Sequence, residues 1–311
     1  MQDLMTRPDC EFLSDVISGL SSPQKHLPCK YFYDEKGSDL FEQITNLDEY
    51  YPTRTELKLL KECAPEFSAH IPKNVRVVEY GAGALRKIRI LLDALETPSG
   101  FVPIDVSETF LLNASKRLQT AYPELEVSPV TGNFLDPELN IPSSGDPSLG
   151  FFPGSTLGNL NDREINTFLS KARQDLSENG QFLLGVDVNQ NPETLIPAYN
   201  DADQITAEFN KNLLARINND LNADFDLSAF YHDARWNDAT DTIEMHLVSK
   251  EDQTVTIDEQ TFEFLAGETI HTENSRKFSV SKIDQLAQNA GWNIQHVWTS
   301  PSPSMALFLL N

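Results

Sequence analysis

Basic residues are scarce in this chain. Its 24 lysines and arginines stand against 47 aspartates and glutamates, a formal net charge of −23. Nucleic acids and anionic membranes both need a basic surface, so neither is an expected partner. Cysteine is scarcer still: Cys10, Cys29 and Cys63 form no Cys-x-x-Cys pair and cannot all pair with one another. That excludes a disulfide framework and a zinc cage. The six histidines are scattered without ligand spacing, and no metal is expected. Long apolar runs are missing and the N-terminal stretch has no apolar signal core, so the cytoplasm is the expected location.

What is present is a stretch that organises the rest, Val77-Val78-Glu79-Tyr80-Gly81-Ala82-Gly83. A β-branched apolar run ends in two glycines one residue apart, where a strand would enter a tight turn open to a ligand. Leu85, Ile88, Leu91, Leu92 and Leu95 then recur at helical spacing. Strand, glycine turn and helix in this order open a doubly wound nucleotide-binding sheet. Further strands are expected at 100–106, ending at Asp105, and at 125–130, followed by Gly132-Asn133-Phe134. Others are expected at 149–153 and 181–188, with helices at 107–120 and 162–176.

The alternation stops near residue 190. A helix-rich piece (199–221) and strands at 243–248, 254–257 and 262–265 follow, then a helix at 280–290 and a proline-linked hairpin of 292–298 and 305–310. Upstream, 28–38 reads as an aromatic loop and 39–47 as a short helix. Thr53 and Glu56 fit a capping box for a helix over 54–63. An interruption of nearly ninety residues is too long for a loop, so it predicts a second domain. The expected division is 14–54 and 190–277 for an α+β substrate domain, and 55–189 with 278–311 for an α/β sheet domain, with a cleft between the two.

The third position of a dinucleotide fingerprint is Arg86 rather than glycine, which weakens that reading. An acid before Gly-x-Gly, with Asp105 ending the next strand, suits S-adenosyl-L-methionine, which has no pyrophosphate to seat. Asp105 can hold both ribose hydroxyls. Asn133 can accept from the adenine amine while Phe134 covers the ring. Taken alone, the glycines also fit a simple tight turn, Lys87 a solvated helix residue, and Glu273 a surface carboxylate. Tyr50 and Tyr199 alone fit packing tyrosines, Met245 a core residue of a strand, and His246 a surface position on the opposite face.

Longer strings go further: Tyr31-Phe-Tyr-Asp-Glu-Lys-Gly-Ser38, Glu49-Tyr-Tyr-Pro-Thr-Arg-Thr-Glu56, Pro153-Gly-Ser-Thr-Leu-Gly-Asn159, Ala207-Glu-Phe-Asn-Lys-Asn-Leu-Leu214, Ile243-Glu-Met-His-Leu247 and Thr272-Glu-Asn-Ser275. On these strings, from about residue 14 to the C-terminus, the chain resembles the S-adenosylmethionine-dependent L-histidine Nα-methyltransferases of ergothioneine biosynthesis. The resemblance implies a class I methyltransferase (Rossmann-like) sheet with an inserted α+β substrate domain. It also implies trimethylation of the α-amino group of L-histidine to hercynine.

It places Gly81, Lys87, Asp105, Asn133 and Phe134 at the S-adenosylmethionine site, with Asn133 replacing the family's usual aspartate. Tyr50, Asn159 and Tyr199 fall where the family holds the amino acid's backbone end. Glu273 and Ser275 fall where it grips the imidazole, with Met245 near that ring and Tyr33 near the reacting amine. Tyr80 and Ala84-Leu-Arg86 depart from the family pattern. The chain is expected to act as a monomer on small molecules. Two alternatives stay open: the same chemistry on another amino acid such as tryptophan, and a non-catalytic module that binds an adenosyl ligand.

Overall fold

The fold is that of a computed structural model describing residues 8–142, 145–176 and 178–311, with side chains from residue 10 onward. Residues 1–7, the start of the stretch without a signal core, lie outside them. The chain divides into two compact units. The first comprises the residues up to Tyr51 together with Gln190–Ser275; the second comprises Pro52–Asn189 and Arg276–Asn311.

Along the chain, helices α1 (Pro8–Leu20) and α2 (Glu35–Ile44) precede α3 (Tyr51–His70). The sheet elements begin with β1 (Arg76–Tyr80), α4 (Lys87–Ala94), β2 (Gly100–Asp105) and α5 (Glu108–Ala121). Two short strands, β3 (Glu126–Val127) and β4 (Val130–Thr131), stand where one strand over 125–130 was expected. Then come β5 (Ser148–Phe152), α6 (Asp162–Asp175) and β6 (Gln181–Asp187). Their order in the sheet is β6-β5-β1-β2-β3, all parallel, with β4 also on β2.

Val77, Val78, Phe101, Val102 and Phe151 are buried on both faces of this sheet, as apolar runs in a parallel sheet should be. Phe152, Phe168, Phe182, Trp292 and Phe308 fill one large core there. Tyr80 belongs to it, with its ring 5.2 Å from Phe168 and 5.8 Å from Phe182.

In the first unit, α7 (Pro192–Tyr199) and α8 (Ile205–Leu221) lead to five strands: β7 (Phe230–Asn237), β8 (Thr242–Ser249), β9 (Gln253–Ile257), β10 (Gln260–Phe264) and β11 (Thr269–Arg276). The strands β7 and β11 flank β8 in a three-stranded sheet, and neither was expected from the sequence. The strand β8 is paired on both edges, and successive residues are buried along most of it, so both its faces are covered. His246, expected at the surface, is therefore only 5% exposed.

The chain returns to the second unit through α9 (Val280–Asn289), β12 (Ile294–Thr299) and β13 (Met305–Leu310). The pair β12–β13 is antiparallel, and β13 runs antiparallel to β6 at the sheet's end. No helix among the described residues is long and apolar enough to cross a membrane.

Candidate active site

The glycine turn begins where β1 ends. Gly81 (φ +68°) and Gly83 (φ +51°) both take the left-handed conformation that side chains disfavour. Leu85 also takes it (φ +54°), one residue before the position at which a dinucleotide site would need its third glycine. The Gly83 N–H donates to Asp105 Oδ2 at 3.0 Å, and the Ser107 N–H donates to Oδ1 at 2.9 Å. One carboxylate at the end of β2 thus fixes the turn after β1. A Cβ on Gly83 would meet nothing within 4 Å, whereas one on Gly81 would stand 3.7 Å from Phe134 Cε1. The turn therefore has an open side and an aromatic side.

Phe134 is braced by Phe152 and Phe168, each with its ring centre 5.2 Å away. Asn133 Oδ1 accepts from the Leu135 N–H at 3.0 Å, which leaves that oxygen's second lone pair for another donor.

Beside the turn lies a cluster of charge. Lys87, the first residue of α4, pairs with Glu56 at 2.6 Å, and Glu56 has no exposed side-chain surface. Sequence reasoning made Glu56 a helix-capping residue. The helix instead starts at Tyr51, so Thr53 and Glu56 lie inside it, and the Glu56 carboxylate accepts from the Gly154 N–H. Glu79, at the end of β1, is buried with Oε2 unpartnered. Burial holds its carboxyl well above the usual range; Asp105 and Glu56 push the same way and Lys87 opposes them.

The remaining predicted residues, except Asn159, lie in the first unit. Tyr33 caps a short 3-10 helix, Cys29–Phe32, and its ring meets Phe41 edge-on at 5.7 Å. Phe41 meets Tyr50 at 6.3 Å, and Tyr50 meets Tyr199 at 5.9 Å, again edge-on. The Tyr199 hydroxyl and Ser275 Oγ then share a buried hydrogen bond of 2.7 Å. Five residues, from Tyr33 to Ser275, thereby form one continuous chain of contacts. Glu273 lies two residues from Ser275 on β11, hence on the same strand face, and is half-buried. Met245 is 2% exposed on the adjoining β8. Asn159 belongs to the second unit, where it ends the 3-10 helix Thr156–Asn159.

A support that the sequence did not reveal sits behind Tyr199. His232 Nε2 lies 2.7 Å from the Tyr199 carbonyl oxygen, and its Nδ1 lies 2.8 Å from Asn210 Nδ2. A carbonyl can only accept, so Nε2 donates and Nδ1 accepts from the amide, which assigns a neutral ring. Elsewhere the fold gathers two histidines that the sequence leaves far apart. His70 and His296 come together with Glu66, with ligand atoms within 4.8 Å of one another. Glu66 there already accepts from Trp298 Nε1 at 2.8 Å, and the His70, His296 and Trp298 rings pack against one another at tilted and edge-on angles, which accounts for the cluster as packing.

A parallel sheet with an antiparallel final strand, a glycine turn and an acid closing the second strand define a class I methyltransferase. The solved structure of mitomycin 7-O-methyltransferase has this fold, with a TM-score of 0.50 over 90% of this chain and 58% of that chain at 12% identity. Over residues 12–311 the chain matches the family described as histidine-specific, S-adenosylmethionine-dependent methyltransferases, and it belongs to that family. It is 41% identical to the histidine N-alpha-methyltransferase of Mycolicibacterium smegmatis, over 95% of this chain and 93% of that one. It is 39% identical to the protein of that name from Mycobacterium tuberculosis, with the same coverage.

Proposed function

We propose that this enzyme transfers three methyl groups in succession to the α-amino nitrogen of L-histidine, giving hercynine. The observation that carries this reading is the match to a histidine-specific family along residues 12–311. The second unit holds the donor. Asp105 takes the ribose hydroxyls, Asn133 accepts from the adenine amine, Phe134 covers its ring, and Lys87 faces the amino-acid carboxylate. The open side of Gly83 and the aromatic side of Gly81 leave room for such a ligand, and both glycines hold a left-handed backbone that a side chain would strain. When bound, S-adenosylmethionine supplies an electrophilic methyl group that the amine's lone pair takes by in-line displacement.

The residues of the first unit orient that amine. Tyr50 and Tyr199 hold the carboxylate end. Glu273 accepts from a ring N–H of the imidazole, Ser275 serves the other nitrogen, and Met245 packs against the ring. Tyr33 accepts from the amine, or offers its ring face to the growing ammonium charge. Holding the two reactants in line supplies most of the acceleration, because effective molarities of about 10⁵ M and above follow from correct orientation. No strong base is needed: the amine's proton passes to water between transfers.

The reading keeps the enzyme monomeric and cytoplasmic, and the net charge of −23 opposes nucleic acid and anionic membranes as partners. Incubation with S-adenosylmethionine and each amino acid, followed by mass spectrometry, tests it. Gain of up to three methyl groups on histidine is expected. No gain on histidine overturns the proposal, and gain on tryptophan instead selects the same chemistry on another substrate.

A further inference from the structure

Lys87 is gripped from below by a group that the reaction itself does not use. Glu56 is wholly shut from solvent, and its Oε2 meets Lys87 Nζ at 2.6 Å. Both of its oxygens also accept from the Gly154 N–H, at 2.8 and 2.9 Å. Two glycines make the space. A Cβ on Gly185 of β6 would lie 2.0 Å from Glu56 Oε1, and one on Gly154 (φ +88°) would lie 3.1 Å from Lys87 Nζ. An isolated buried carboxylate is strongly unfavourable, so the backbone N–H and the ammonium are what permit it here. The Lys87 side chain is 20% exposed, so it is anchored on one side and open on the other. A free lysine side chain loses rotamer entropy when it is fixed, a cost met in advance when the ammonium is already held.

We propose that Glu56 is a positioning residue of the donor site. It holds the Lys87 ammonium at the start of α4, ready for the amino-acid carboxylate of the methyl donor. This rests on the reading of Lys87 as a donor-binding residue. Carboxylate and ammonium then act as a pair, and the two glycines conserve the room they need.

Calorimetric titration of the full chain with two probes tests it. S-adenosylhomocysteine carries the amino-acid carboxylate; 5′-methylthioadenosine has the nucleoside and sulfur but lacks it. Glu56→Gln keeps the shape and removes the charge. It should weaken S-adenosylhomocysteine by about tenfold or more, the size of a lost charge-assisted contact, and leave 5′-methylthioadenosine within about twofold. Lys87→Met should weaken S-adenosylhomocysteine at least as much, and the double variant should be no worse than Lys87→Met alone. Equal losses for both probes with Glu56→Gln would mean a general fold defect and overturn the proposal. So would unchanged or tighter binding of S-adenosylhomocysteine, since Glu56 would then compete for Lys87 rather than present it. If Lys87→Met leaves S-adenosylhomocysteine binding unchanged, the donor-site role of Lys87 fails first.

Discussion

The two units hold their candidate residues by different physics. In the second unit the holding is electrostatic and backbone-based. Left-handed glycines shape the turn, Asp105 clasps it, and Glu56 and Lys87 pair beneath it. A second pair, Lys277 and Asp187, is wholly buried at 2.9 Å near the points where the chain leaves this unit and re-enters it. In the first unit the holding is largely uncharged: edge-on aromatic rings from Tyr33 to Tyr199, a hydroxyl pair, and the neutral ring of His232. A buried charge pair depends on close geometry and cannot tolerate an added atom. A ring-and-hydroxyl chain depends on donors and acceptors, and so on protonation.

The largest effect should come from one carbon added to the charged side. Gly185→Ala puts a methyl group where Glu56 Oε1 stands, with Pro153 Cα behind it at 3.3 Å, so the anchored carboxylate has to move. Overpacking of this kind costs about 1–3 kcal/mol. Denaturant unfolding should show that loss together with weaker S-adenosylhomocysteine binding, while an unchanged midpoint would remove the steric argument.

Acidification should act on the other side. Burial depresses the imidazole pKa of His232, His246 and His271, all in the first unit. Their unfolded forms take up protons near pH 6.5, before the folded forms do. Their contribution is therefore complete above about pH 6.5 and is lost as the pH falls toward the depressed native values. Glu79 in the second unit has the opposite sign, because its raised pKa favours the folded state as the pH falls. Going from about pH 7.5 to about pH 5.5 should therefore lower hydrogen-exchange protection in the first unit more than in the second. Earlier loss in the second unit would reverse the comparison.

The smallest effect expected is that of Asn133→Asp. Oδ1 keeps its bond to Leu135 N–H and its place as an acceptor. Donor binding should stay the same or tighten slightly; clear weakening would contradict the adenine role.

The glycine turn and its acid were legible because their patterns are local. A β-branched run leads straight into two glycines, and the acid ending the next strand follows Gly83 by only 22 positions. Glu56 was not legible, since a threonine three residues before a glutamate reads as a cap, and Gly154 lies 98 positions away. On the acceptor side, Tyr199 and Ser275 are 76 positions apart with no local signal, and only the family strings pointed to them. The strands β7 and β11 escaped notice because polar residues occupy much of them. The inward face of β7 is carried by Phe230, His232 and Ala234, and two of those three are poor hydrophobic markers.

The most direct test of the division itself uses one variant from each unit and two ligands. Asp105→Ala and Glu273→Ala are titrated separately with S-adenosylhomocysteine and with L-histidine. The account predicts that Asp105→Ala weakens S-adenosylhomocysteine and leaves histidine nearly unchanged. Glu273→Ala should weaken histidine by about tenfold or more and leave S-adenosylhomocysteine nearly unchanged. Equal weakening of both ligands by either variant, or histidine binding indifferent to Glu273, would contradict it.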